Sequence, residues 1–438
     1  MPMMLGFDVS LLHGRLPASL AILAIGSLAM MIIRPGRRWW LQRVVPSTLG
    51  SVAASAGINW WIDLRGRFGE VIPLRFIIYA AMPIAACSLA VSGWRPSGLW
   101  RRSIALAATP LTLLFAANLV NQSYGYKPTV GALFGARFEH QIPVSQLELR
   151  SVATTASVPP ATARPQDTPT PDFRTHGFIS EVDIPPTLSQ FSARPAWVWV
   201  PPAFFRRPRP QLPVIVLLAG TPSQPDDMIR AAHADVVAER YAAAHAGVAP
   251  ILVFADGNGS FTADTECVDS RRGKAETYLT KDVPAFVSQA FTTLAGPAHW
   301  GIEGYSEGGT CAMVLALAHP DVYGSFVDIA GDRFPNVGSR GDLKKSTITG
   351  LYGGNTSLFD AHDPAVLIQQ PAAKVVSAWF EAGRNDPRRH HIGSELDAAC
   401  RAAGLQSRFV LAPGGHDFGL ASHAVGDSFD WLATHLGA

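Results

Sequence analysis

Four stretches in the first 125 residues carry no charged side chain: Leu16–Ile33, Val44–Ile62, Phe76–Gly93 and Ser103–Ser123. Each approaches the ~20 residues that a helix needs to cross ~30 Å of hydrocarbon. Pro46, Pro83 and Pro110 interrupt them, and bilayer helices tolerate such residues better than soluble ones. Four apolar runs in series, joined by basic loops, predict a four-span transmembrane region over 1–125. A cleaved leader is not expected, because no small-residue cleavage pattern follows the first run and three more runs come after it.

The loops set an orientation. Arg34, Arg37, Arg38 and Arg43 lie between the first two runs, and Arg95, Arg101 and Arg102 between the last two. Positive loops stay in the cytoplasm, so the N-terminus and everything after Ser123 are expected outside it. Arg75 is placed to snorkel at an outer edge. Trp39, Trp40, Trp60, Trp61, Trp94 and Trp100 flank the runs, as interfacial aromatics do. No cluster of acids or histidines within the runs marks a transport path. Anchoring in a lipid bilayer is the expected role, with lipid presentation or a membrane-enzyme partner as the sharper alternative.

Residues 126–173 read as a juxtamembrane segment followed by a Pro/Thr/Ala-rich tether, SVATTASVPPATARPQDTPTPDF. This run cannot bury enough apolar surface to fold. The segment before it, 124–149, is expected along the membrane surface. From 174 to 438 short apolar runs such as VIVLLA and ILVFA alternate with helical segments. Unbroken apolar strands are expected where helices cover both faces of a parallel sheet, so 174–438 should be one α/β domain with a doubly wound, mostly parallel sheet. Net charge is only +2, and no nucleic-acid partner is expected.

One motif carries the chemistry. In HWGIEGYSEGGTCAMVLALA a strand runs into Gly304-Tyr305-Ser306-Glu307-Gly308 and a helix follows. A serine at a sharp strand-to-helix turn between glycines is positioned as a nucleophile. A nucleophilic serine needs a base and an orienting acid, which in this setting follow in the order acid, His. Asp386 in EAGRNDP and His416 in APGGHDF lie in loops after later strands. Glu381 is the alternative acid. Asp417 is disfavoured because adjacent residues rarely face each other. His423, His390 and His391 are expected on helix surfaces. An oxyanion needs two backbone N–H groups. Glu307 should supply one and Thr221, in AGTPSQPDD, the other.

GYSEGGTCAMVLALAHPDVYGSFVDIAGD, with AGRND and PGGHDF downstream, resembles the putative-esterase branch of the α/β hydrolases, which includes esterase D-like enzymes and mycolyltransferases. The resemblance covers about residues 175–438. It implies an α/β-hydrolase fold and an acyl-enzyme on Ser306, with Asp386 and His416 completing a triad and the Thr221 and Glu307 amides as oxyanion donors. It implies no cofactor and no metal. The sequence departs from many relatives in having Ala219 before the oxyanion-loop glycine.

In an oxidising compartment disulfides persist. Cys311 lies on the helix after Ser306, and Cys267 follows the strand ILVFA, so the two are expected to pair. The loop DGNGSFTADTECVD fails as an EF-hand because Phe261 and Cys267 occupy the positions of its glycine and glutamate. Its acids, with Asp226 and Asp227, are candidates to line the pocket mouth and attract a cationic group. The leading expectation is a membrane-anchored serine esterase or acyltransferase acting on an ester, such as an envelope lipid or aminoacyl lipid. The alternative is a non-catalytic envelope scaffold or sensor with a hydrolase-like outer domain.

Overall fold

The computed structural model describes residues 9–64, 73–94, 98–149, 175–338 and 341–438. The Ser151–Phe173 tether lies outside the described residues. The chain divides into two compact units, Met1–Ala136 with Val337–Ser346, and Arg137–Asn336 with Thr347–Ala438.

The first unit is helical: α1 Arg15–Ile32, α2 Val45–Leu64, α3 Arg75–Gly93 and α4 Leu99–Tyr124. The α4 helix packs on α1 and α3, and α2 packs on α3. Small residues make the close contacts, with Ala81, Ala86, Ala105 and Ala108 buried. Large apolar side chains such as Ile22, Ile78 and Leu106 are left outward. Among the described residues three helices are long and apolar enough to cross a membrane: α1, α3 and α4. That corrects the expected four. The run Val44–Ile62 does form a helix, but freedom from charge was a poor measure of its apolarity. Ser47, Thr48, Ser51, Ser55 and Asn59 dilute it. Its serines join α3 through hydrogen bonds: Ser55 Oγ donates to Ile77 O at 2.8 Å, and Ser88 Oγ to Ser47 Oγ at 2.9 Å. Small and hydroxyl side chains between helices do this in apolar surroundings.

The second unit is built on eight strands: β1 Phe178–Val182, β2 Ala196–Val200, β3 Val214–Leu218, β4 Ile251–Phe254, β5 Trp300–Tyr305, β6 Ser325–Ile329, β7 Ser377–Gly383 and β8 Gln406–Ala412. Their order across the sheet is β1-β2-β4-β3-β5-β6-β7-β8. β2 runs antiparallel to both β1 and β4, and every later pairing is parallel. Every residue of β3, β4, β5 and β6 is buried, as a sheet covered on both faces requires. The longer helices are α5 Ala234–Ala244, α6 Val283–Ala290, α7 Glu307–Ala318, α8 Pro387–Ala402 and α9 Phe418–His435. α7 lies on β3, β5 and β6, α8 covers β7 and β8, and α9 packs against α5. This is the α/β-hydrolase fold.

Three local features of this unit have plain causes. The stretch 225–246 forms two helices, Asp227–Arg230 and α5, because His233 takes a left-handed conformation at φ 57°. The segment between β6 and β7 holds short helices at Thr356–Asp360 and Pro364–Leu367, each capped by a side chain, Asn355 or Asp363. Finally, 138–149 packs onto the sheet. Ile142 N donates to Ile179 O at 2.9 Å, and Ile142 and Leu147 are buried in the sheet core. The segment covers the open edge of β1, which an exposed strand needs.

Candidate active site

β5 delivers Ser306 to the start of α7. The serine sits at φ 61°, ψ −121°, a conformation costing an L-residue on the order of 1–3 kcal/mol. Its N–H donates to Ile329 O at 2.8 Å, so the neighbouring strand holds the strained turn. The flanking glycines are required by space. A Cβ on Gly304 would fall 2.0 Å from Gly308 O, and one on Gly308 2.4 Å from Leu218 O.

Loops after β7 and β8 bring two side chains to this serine. His416 Nε2 lies 2.8 Å from Ser306 Oγ, and His416 Nδ1 lies 3.3 Å from Asp386 Oδ2. Asp386 also caps α8, with Oδ1 accepting from Arg389 N at 3.2 Å. Burial raises its pKa, but the His416 contact, the Arg389 N–H and the nearby positive charge outweigh burial and hold the carboxyl below its usual range. The Tyr305 ring lies 5.1 Å from the imidazole and 5.2 Å from Phe418. The other sequence candidates have different partners. Asp417 caps α9 by accepting from Leu420 N at 3.0 Å. Glu381 accepts from Trp379 Nε1 at 3.0 Å. His390 stacks on Phe409, and His391 pairs with Glu395.

Gly220 comes against the elbow: a Cβ there would lie 2.9 Å from Ser306 Cβ. This places the Thr221 loop beside Ser306. The Glu307 side chain reaches that same loop. Its Oε2 accepts from Thr221 Oγ1 and, at 2.7 Å, from Asn258 Nδ2. Asn258 Nδ2 is also 2.8 Å from Thr221 Oγ1, and its Oδ1 accepts from Thr265 N at 2.8 Å. Behind it, Asp256 takes Arg194 in a charged pair at 2.6 Å. Asn258 was missed in the sequence. It lies within the loop weighed as an EF-hand and for its acids, and its place after β4, the strand beside β3, was the available signal.

Cys267 and Cys311 are bonded, with Cα atoms 5.5 Å apart. The bond fastens the loop carrying Asp264 and Glu266 to α7. Burial, then repulsion from Asp264, pushes Glu307 up to about 8. Burial and the charges of Asp264 and Glu307 also push Glu266 well above its usual range. Asp226 and Asp227 do not fill the role expected of them. Asp227 is fully buried and accepts from Gln224 N at 2.7 Å, while Asp226 pairs with Arg230 at 2.6 Å. Both hold the loop and the short helix after it, which occupies the carboxylates that a substrate cation would need.

Beneath the elbow, Glu303 of β5 is fully buried and accepts from Ser428 Oγ at 3.2 Å. Burial raises it from 4.5 to about 8. In that window the folded state keeps a proton that the unfolded chain has released, so stability falls as pH rises. The contribution is full below about pH 4.5 and gone above about pH 8. Thermal melts should therefore drop by several degrees from pH 5 to 8, and Glu303→Gln should flatten the profile. An unchanged slope in that variant would assign the dependence to other buried carboxyls.

A model of the family described as Putative esterase matches residues 193–431. An uncharacterized protein of Corynebacterium glutamicum is 31% identical over 432 residues, covering 96% of this chain and 95% of that protein. The S-formylglutathione hydrolase of Bos taurus is 26% identical over 189 residues, covering 42% of this chain and 65% of that enzyme. The solved structure of a ferulic acid esterase superposes with a TM-score of 0.50 at 19% identity, over 60% of this chain and 99% of that one; this last likeness is one of fold. The strand–serine–helix turn with its flanking glycines and the match spanning most of the sheet unit agree: this chain belongs to the Putative esterase family of α/β hydrolases.

Proposed function

We propose that the protein is a membrane-anchored serine esterase or acyltransferase whose catalytic domain faces out of the cytoplasm. The 2.8 Å approach of Ser306 Oγ to His416 Nε2 carries the reading. His416 takes the Oγ proton as Ser306 attacks an ester carbonyl, and Asp386 orients the imidazole and offsets its charge. The Thr221 and Glu307 N–H groups face the oxyanion. His416 then gives its proton to the departing alcohol. Water or a second hydroxyl, deprotonated by the same base, attacks the acyl-enzyme and frees Ser306.

Anchoring is supported by α1, α3 and α4, and the outward orientation by a disulfide. The Cys267–Cys311 bond fits an oxidising compartment. The preferred substrate is an ester of a lipid that carries a cation, as an aminoacyl lipid does. Asp264 pairs with Arg272 at 3.3 Å, yet it and Glu307 still repel Glu266, and an ammonium group would relieve that repulsion. A fluorophosphonate probe should label the full chain in detergent, with the adduct at Ser306. Folded but unlabelled protein would point instead to the scaffold reading. Cationic aminoacyl esters should be turned over with at least tenfold higher kcat/KM than neutral analogues. Equal rates would remove the substrate assignment and leave the hydrolase.

A further inference from the structure

Glu381 leaves a question that the catalytic reading does not answer. Its side chain is 1% exposed. One oxygen accepts from Trp379 Nε1, while Oε1 has no hydrogen-bond partner among the described residues. A buried carboxyl oxygen without a hydrogen bond is unfavourable. The adjacent helix α9 presents His423 and Asp427 four residues apart, on one face. Atoms of all three side chains, an imidazole nitrogen and two carboxylate oxygens, lie within 4.8 Å of one another.

We propose that Glu381, His423 and Asp427 form a binding site for a divalent cation of the zinc type. His423 Nε2 and Asp427 Oδ2 are 3.5 Å apart. Tetrahedral zinc with bonds of about 2.1 Å puts neighbouring ligand atoms about 3.4 Å apart, so this pair already has the required spacing. The same two side chains are half-exposed, at 48% and 42%, and can turn to close on the Glu381 oxygen. As a bare surface pair they would contribute little and would leave Glu381 Oε1 unmet. A nitrogen with two oxygens suits zinc, whereas calcium and magnesium take oxygen ligands at higher coordination number. Three protein ligands leave the fourth position to water. Glu303 is buried close enough to Glu381 to repel it, and its own Oε2 lacks a partner among the described residues.

These three side chains are not the ones assigned to the reaction, and the role of the site is structural. β7 ends at Gly383, shortly before Asp386, and α9 begins at Phe418, just after His416. A cation joining Glu381 to α9 would pin the strand that delivers the acid to the helix that follows the base.

The test uses the untagged full chain in detergent, stripped with a chelator and titrated with zinc against a chromophoric zinc indicator. One zinc per chain is expected, unaffected by millimolar magnesium. His423→Ala, Asp427→Asn and Glu381→Gln should each weaken binding at least tenfold. The first two alter exposed side chains and should leave the circular dichroism spectrum unchanged, which separates lost ligands from lost fold. No zinc binding by the wild type, or equal affinity in the His423 and Asp427 variants, would overturn the proposal.

Discussion

Ser306→Ala should lower kcat for an activated ester by about 10⁵-fold or more while leaving KM within a few-fold. The substitution removes only Oγ. The backbone strain at φ 61° is the same for alanine as for serine, and the elbow is held by Ile329 O and the space around Gly304 and Gly308. Melting temperature should therefore be unchanged. A residual rate about 10³–10⁴-fold above water is expected, because the oxyanion donors and the binding surface remain. The measurement is single-turnover hydrolysis with burst detection. A variant that keeps the wild-type burst would mean that Ser306 is not the nucleophile.

Asp386→Asn should cost about 10⁴-fold in kcat at neutral pH. His416 Nδ1 lies 3.3 Å from Asp386 Oδ2, and an amide there can offer an N–H where an acceptor is needed, favouring the wrong imidazole tautomer. Ground-state affinity for the ester depends little on this contact, so kcat should fall and KM should not. The cap on Arg389 N can be kept by the asparagine oxygen, so the helix start should survive. A loss below tenfold would reopen the assignment of the orienting acid. It would not restore Glu381 without an account of its bond from Trp379 Nε1.

Much of this architecture was legible because different physical signals agreed. β6 and α7 lie where the apolar runs SFVDI and EGGTCAMVLALA place them, since a buried strand and a buried helix leave strong local patterns. The meeting of Ser306, Asp386 and His416 could be anticipated because each lies at a strand end, where chain order and loop position constrain it. The second apolar run misled because absence of charge is a weaker criterion than hydropathy, and serines pass the first while failing the second. The short helices at Thr356–Asp360 and Pro364–Leu367 have cap residues but too few turns for a periodic signal. The brace through Asn258 was out of reach for another reason. It joins residues 37 and 49 positions away, and the place of its loop after β4 was the one signal for such a meeting.

That brace has a consequence for how the chain can change. Glu307 is assigned one oxyanion donor through its backbone, and its side chain holds the loop assigned the other. Thr221, Asn258 and Glu307 therefore form one heritable unit spread over three distant stretches. A drift at any of them alters the fit of the other two. Divergent copies of this domain are free to vary the pocket around these three, but must exchange the three together.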